Sequence, residues 1–170
     1  EKVRWQTQSD VSCFKQALAD EHLGEALELY SGAFLQGLES DETNEFNTWL
    51  INERESLHTR WRETVLKYGE KAEAKDAAVW LQKLLEHDPL DEEAFQAYLS
   101  ALAKAGQTRE ALQSYERFAK TLEHELGLEP TSVTEQLYRA IQSGAFEHSH
   151  VNITLTRVTE PERSLPKPSS

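Results

Sequence analysis

Apolar residues recur along most of this chain every three or four positions, the spacing that turns one face of an α-helix toward a core. Val11, Phe14 and Leu18 begin the series, and Ser9 and Asp10 just before them can cap the helix they predict. Leu23, Ala26, Leu27 and Tyr30 predict a second, short helix. Residues 31–46, SGAFLQGLESDETNEF, hold two glycines and no steady period, and read as the longest irregular stretch of the helical part. A long helix follows over residues 44–69, with Trp49, Leu50, Leu57, Trp61, Val65 and Tyr68 as its apolar stripe.

The later helices are bounded by clear stop signals. Ala77, Trp80, Leu81, Leu84 and Leu85 predict a helix over 75–87, broken by His87-Asp88-Pro89-Leu90-Asp91. Asp91 can cap the next, over 92–105, which carries Phe95, Tyr98, Leu99 and Leu102 and ends at Gly106. Thr108 opens another through Ala111, Leu112, Tyr115, Phe118, Ala119 and Leu122, and it stops at Glu125-Leu126-Gly127-Leu128-Glu129-Pro130. There Gly127 can take the left-handed conformation that ends a helix, and Pro130 prevents its resumption. Ser132 and Glu135 have the spacing of a capping box for a last helix through Leu137 and Ile141, with Glu129 available to cap it or to face its N-terminal dipole. The helical body therefore spans 9–146, an all-α reading.

The two ends follow a different rule. Residues 2–7, KVRWQT, and 151–158, VNITLTRV, alternate apolar and polar like short strands, and 159–170, TEPERSLPKPSS, reads as a linker. Two readings stand side by side: the strands pair with each other or with another copy's edge, or the two ends are disordered. The chain lacks methionine altogether, which suggests a piece of something longer.

A repeat underlies the middle of the chain. Trp61, Tyr68, Ala77, Leu81 and Leu84, shifted by 34 residues, fall on Phe95, Leu102, Ala111, Tyr115 and Phe118. Large residues meet large ones and alanine meets alanine. A small side chain on the second helix of each pair lets the first approach closely, and the aromatic residue fills the gap to the next pair. This helix–turn–helix period resembles the tetratricopeptide repeat, which implies a right-handed superhelix of helical hairpins. Thr64 and Val65 stand where that repeat has Leu-Gly, and Phe118 replaces a small residue, so the second pair should pack differently. Residues 20–30, DEHLGEALELY, resemble only the second half of a unit.

The ordered set of segments narrows the resemblance. Residues 14–38, 51–61 and 88–141, with Leu126, Gly127, Leu128, Glu129 and Pro130 before the last helix, resemble the bacterial transcriptional activator domain of Streptomyces-type antibiotic regulatory proteins. That resemblance implies protein contact as the work of residues 9–146: self-association, coupling to a DNA-binding domain, and contact with RNA polymerase. It makes residues 1–8 the last strand of an upstream winged helix domain, which would supply DNA binding. It makes residues 147–170 a tail toward a further domain, and the cytoplasm the place of action. The alternative is a generic repeat adaptor that holds a peptide or helix in its concave groove.

Charge and chemistry leave this reading in place. Net charge is −12, and the most basic patch, residues 59–67, is flanked by glutamates, so no surface for phosphates is expected on this chain. No apolar run is long enough to span a membrane. Cys13, the single cysteine, is expected in the core and fits a reducing compartment. His124-Glu125-Leu126-Gly127-Leu128 starts like a zinc-protease motif, but Leu128 stands at the second histidine. The six histidines have no partner at metal spacing, Asn152-Ile153-Thr154 is a bare sequon, and no phosphate loop or catalytic triad is present. No cofactor, metal or catalysis is implied. Of the four tryptophans, Trp49 is expected in the core by its spacing; exposed, it would suit a protein contact.

Overall fold

The computed structural model describes residues 9–30 and 44–148, which form seven α-helices and a short 3-10 turn. The helices are α1 (Asp10–Ala19), α2 (Leu23–Leu29), α3 (Asn44–Lys71), α4 (Ala74–His87), α5 (Glu92–Lys104), α6 (Thr108–Leu126) and α7 (Ser132–Gln142), and the turn is Ala145–His148. The strands expected at 2–7 and 151–158, and most of the irregular stretch after Tyr30, lie outside the described residues.

Local signals set most of the boundaries. The Ser9 hydroxyl accepts from the Ser12 amide at 3.2 Å and starts α1. The Asp91 carboxylate accepts from the Ala94 amide at 3.1 Å and starts α5. Gly106 and Gly127 both have positive φ, +74° and +65°, and end α5 and α6 without the steric cost a side chain would carry.

One boundary departs from the sequence reading. The N-cap of α7 is Thr131, so Ser132 is already helical and makes no capping box with Glu135. The cause is tertiary. Glu92, at the start of α5, accepts from the Thr131 amide at 2.7 Å and so occupies the place a local cap would take. Glu135 instead pairs with Arg139, one turn along.

Consecutive helices pack on one another, and α3, α5 and α7 also touch along one side. Short connections make neighbours antiparallel, so α1/α2, α3/α4 and α5/α6 are three hairpins, with α7 and its 3-10 turn closing the stack. The sequence shows only half of the first unit, because α1 carries none of the repeat's marker residues. Ala26, Ala77 and Ala111 are all fully buried on the second helices, which lets α3 and α5 come close. Gly69 does the same for α3: a Cβ there would stand 3.3 Å from the Leu81 side chain.

The repeat-equivalent rings Trp61 and Phe95 are both in the core. Tyr30 stacks on Trp61 with centroids 4.9 Å apart, and Tyr115 stacks on Tyr138 at 4.0 Å. Both join the second helix of a hairpin to the first helix of the next. Phe118 is accommodated by lying flat on Phe95, 3.9 Å away and 8° from parallel, so the α5/α6 hairpin is filled by a ring pair where the α3/α4 hairpin uses Trp61 and Leu84. Cys13 is half-buried beside the core residue Phe14.

Candidate functional site

The first helices of successive units line a groove. Leu66 and Gly69 from α3, Ala97 and Ala101 from α5, and Val133 and Leu137 from α7 enclose a cavity of about 250 Å³. Its floor stays open because small residues stand where larger ones would fill it: Gly69, Ala72, Ala74, Ala97, Ser100 and Ala101. Glu70, Glu93 and Lys104 supply charge along its edges. An apolar floor with a few charges at the rim can seat the apolar face of a helix or an extended segment and fix its direction.

Two polar bridges hold the walls at their spacing. Arg62 of α3 donates through Nε to Asp91 at 2.6 Å and through Nη2 to Asp91 at 2.9 Å and Glu93 at 2.7 Å. The Asp91 side chain is almost fully buried, and the Arg62 guanidinium is mostly covered. Burial alone would raise the Asp91 carboxyl; the hydrogen bonds from Arg62 and from the Ala94 amide, with the Arg62 charge, outweigh it and hold the group below the usual carboxylate range. Arg62 is correspondingly pushed above its ordinary value, chiefly by its hydrogen bond to Asp91.

The second bridge joins α5 to α7. Thr134, fully buried, donates to Glu92, and Gln96 donates to the Thr134 hydroxyl at 2.9 Å. With the Thr131 amide, Glu92 thus holds the whole first turn of α7. Sequence reading missed Arg62, Glu92 and Gln96 because they act between units. The 34-residue frame does carry a signal, since Arg62 and Gln96 occupy the same place in it.

The corner before α7 behaves as its residue types require. Gly127 is left-handed, its amide reaches the Glu123 carbonyl at 2.9 Å, and Pro130 is partly buried behind it. Glu129 does not cap α7: it is exposed, and the Thr131 amide is already taken by Glu92. Leu126 and Leu128 flank the glycine and are both exposed. His124 stands beside Glu125 at 3.4 Å on the open surface.

Trp49 is not in the core. It is 48% exposed near the start of α3, with Phe46 5.7 Å away on the same helix and Ile51 exposed beside it. The helical stripe of α3 holds for Leu50, Leu57, Trp61 and Val65; Trp49 lies one step round the helix from Leu50, on the outward flank.

The sequence matches the bacterial transcriptional activator domain over residues 6–142. The chain belongs to that family. The match ends with the last residue of α7, so all seven helices fall inside the transcriptional activator domain. No curated protein matches the chain significantly. Among the described residues no helix is long and apolar enough to cross a membrane, and no group of three or more His, Cys, Asp or Glu side chains is placed to hold a metal ion.

Proposed function

We propose that this domain works by protein contact within a bacterial transcription factor. It associates with another copy of itself or with a neighbouring DNA-binding domain, and it presents the groove of α3, α5 and α7 to a segment of its partner, RNA polymerase being one candidate. DNA affinity comes from an upstream winged helix domain of the same protein, and the chain acts in the cytoplasm without cofactor or catalysis. The observation that supports this most is the groove itself: an apolar floor of small residues, rimmed by charge, between helices fixed at their ends by buried polar bridges. The acidic surface fits the same division of labour, since it repels nucleic acid and leaves DNA contact to another module.

The test compares DNA binding by this chain and by the chain extended upstream, on the protein's own promoter region at several salt concentrations. Binding by the extended chain alone, weakening as salt rises, supports the reading. Failure of both would favour a peptide adaptor that uses the same groove outside transcription.

A further inference from the structure

The groove of α3, α5 and α7 lies close to the point where the described chain stops. The last turn, Ala145–His148, packs on α7 and on α5, two of the three helices that line the groove, and Phe146 in that turn rests against the core. Residue 149 therefore leaves from the α7 side. Residues 149–170 follow, and an extended chain of that length reaches about 70 Å, several times the width of the groove.

The dimensions of the groove suit an extended segment laid across the helices. Its volume, about 250 Å³, is below that of a usual small-molecule site. Two interaxial spacings separate α3 from α7, about 18 Å at ordinary helix packing. Six residues of extended chain cover about 20 Å. Gly69, Ala97 and Ala101 leave the floor shallow, and aliphatic side chains arriving from outside would fill it.

The tail carries such side chains at the right spacing. Val151, Ile153 and Leu155 alternate with Asn152, Thr154 and Thr156, so an extended chain turns all three aliphatic groups to one face. Arg157 is the next residue on that face. On the groove, Glu70 stands at the α3 edge, and its carboxylate is in no ion pair among the described residues. The wider charge agrees. Residues 149–170 carry Arg157, Arg163 and Lys167 against Glu160 and Glu162, on a chain whose net charge is −12.

We propose that residues 151–157 lie extended across the groove of their own chain. Entering from α7, they meet the walls in order: Val151 at Leu137, Ile153 over Ala97 and Ala101, Leu155 at Gly69, and Arg157 against Glu70. The segment that the groove receives is then the chain's own, and docking fixes the direction in which the chain leaves the helical body. The docking stands on geometry and charge alone; that it serves activation rests on the function proposed for the groove.

The test uses the full chain, ¹³C-labelled at isoleucine and alanine methyls. The Ile153 signal is identified by its loss in Ile153→Asp, a change outside the seven helices. The expected result is a nuclear Overhauser contact from Ile153 to the Ala97 and Ala101 methyls. It should survive about ten-fold dilution, because a tethered segment meets its site at millimolar effective concentration. Ile153→Asp and, from the other side, Val133→Glu should each shift docking about ten-fold toward release, read as faster amide exchange at 151–156. Absence of the methyl contact overturns the proposal. So does a contact of Ile153 with Val3 or Trp5, which means that the two ends pair with each other, or a contact that fades on dilution, which means a second copy's tail. In the complete regulator, Ile153→Asp should weaken activation about as much as Val133→Glu does. A docked tail whose release leaves activation unchanged would keep the docking and remove the groove's role in activation.

Discussion

Arg62 and Gln96 lie 34 residues apart, at the same position in successive hairpins, and each reaches across to the start of the next unit's first helix. Arg62 grips Asp91 at the head of α5, and Gln96 grips Thr134 in the first turn of α7. The contact is conserved in role while its chemistry changes, from a buried ion pair to a hydroxyl–amide–carboxylate chain. The three first helices are held in line by these two bridges, and the groove between them depends on that alignment.

Asp91 has two duties, capping α5 and neutralising Arg62, so its removal should be costly. Asp91→Ala leaves a mostly covered guanidinium without its main partner and deletes the cap. The expected loss is about 3 kcal/mol. Urea unfolding should show a lower midpoint with an unchanged slope. A loss below about 0.5 kcal/mol, the size of an ordinary surface change, would mean the bridge is incidental.

The same carboxylate makes stability depend on pH in a defined direction. Its folded pKa lies below its unfolded value, so its contribution is fully present above about pH 3.9 and is lost as pH falls through the depressed folded value. Wild type should therefore lose stability in acid more steeply than Asp91→Ala, and the two curves should converge there. Parallel curves down to the lowest pH at which both still fold would contradict the assignment.

Glu92 is the hook for α7. Glu92→Gln keeps the shape but offers an amide oxygen in place of a charge to the Thr131 amide and the Thr134 hydroxyl. A loss of about 1–2 kcal/mol is expected, because charged hydrogen bonds are the stronger kind. It should appear locally. Amide exchange should accelerate in residues 132–142 while α3 and α4 keep their protection. Uniform acceleration across the chain would show that α7 unfolds only with the whole domain.

Much of this architecture is legible in the sequence, and the reasons for the failures are physical. Helix positions and most ends follow from periodicity and from Ser9, Asp91, Gly106 and Gly127, all of which act within a turn or two of themselves. The capping box at Ser132 fails because a carboxylate from another helix reaches Thr131 first, which no local rule can see. Trp49 is misplaced because a stripe drawn along a 28-residue helix does not say how far its neighbours extend to cover it. The first hairpin is half hidden because α1 lacks the marker residues, although its packing on α2 completes the unit. The groove was not legible: it is built from small residues, which by themselves carry no functional signal.

At Gly127 the space is free and the backbone is not. No atom stands within 4 Å of where a Cβ would be, so Gly127→Ala meets no clash. The cost is the left-handed conformation alone, about 1 kcal/mol, with Gly127→Asn costing less. Thermal unfolding of both variants checks the order. Equal stability of the alanine variant and wild type would mean that α6 can end elsewhere.

Val133 separates the groove's function from its stability. Its side chain is 42% exposed at the groove wall, so Val133→Glu should change stability by no more than about 0.5 kcal/mol. It nevertheless places a charge on the apolar surface that a partner segment would cover, where an unpaired carboxylate is costly to bury. In the complete regulator the expected result is unchanged DNA binding and at least about ten-fold weaker activation of a reporter promoter, the effect of some 1.4 kcal/mol at the contact. A charge at Val79, exposed on α4 and not among the residues that line the groove, is the control and should leave activation as it was. If Val133→Glu activates normally, the contact surface lies elsewhere, and the exposed flank of α3 around Trp49 and Ile51 becomes the next face to test.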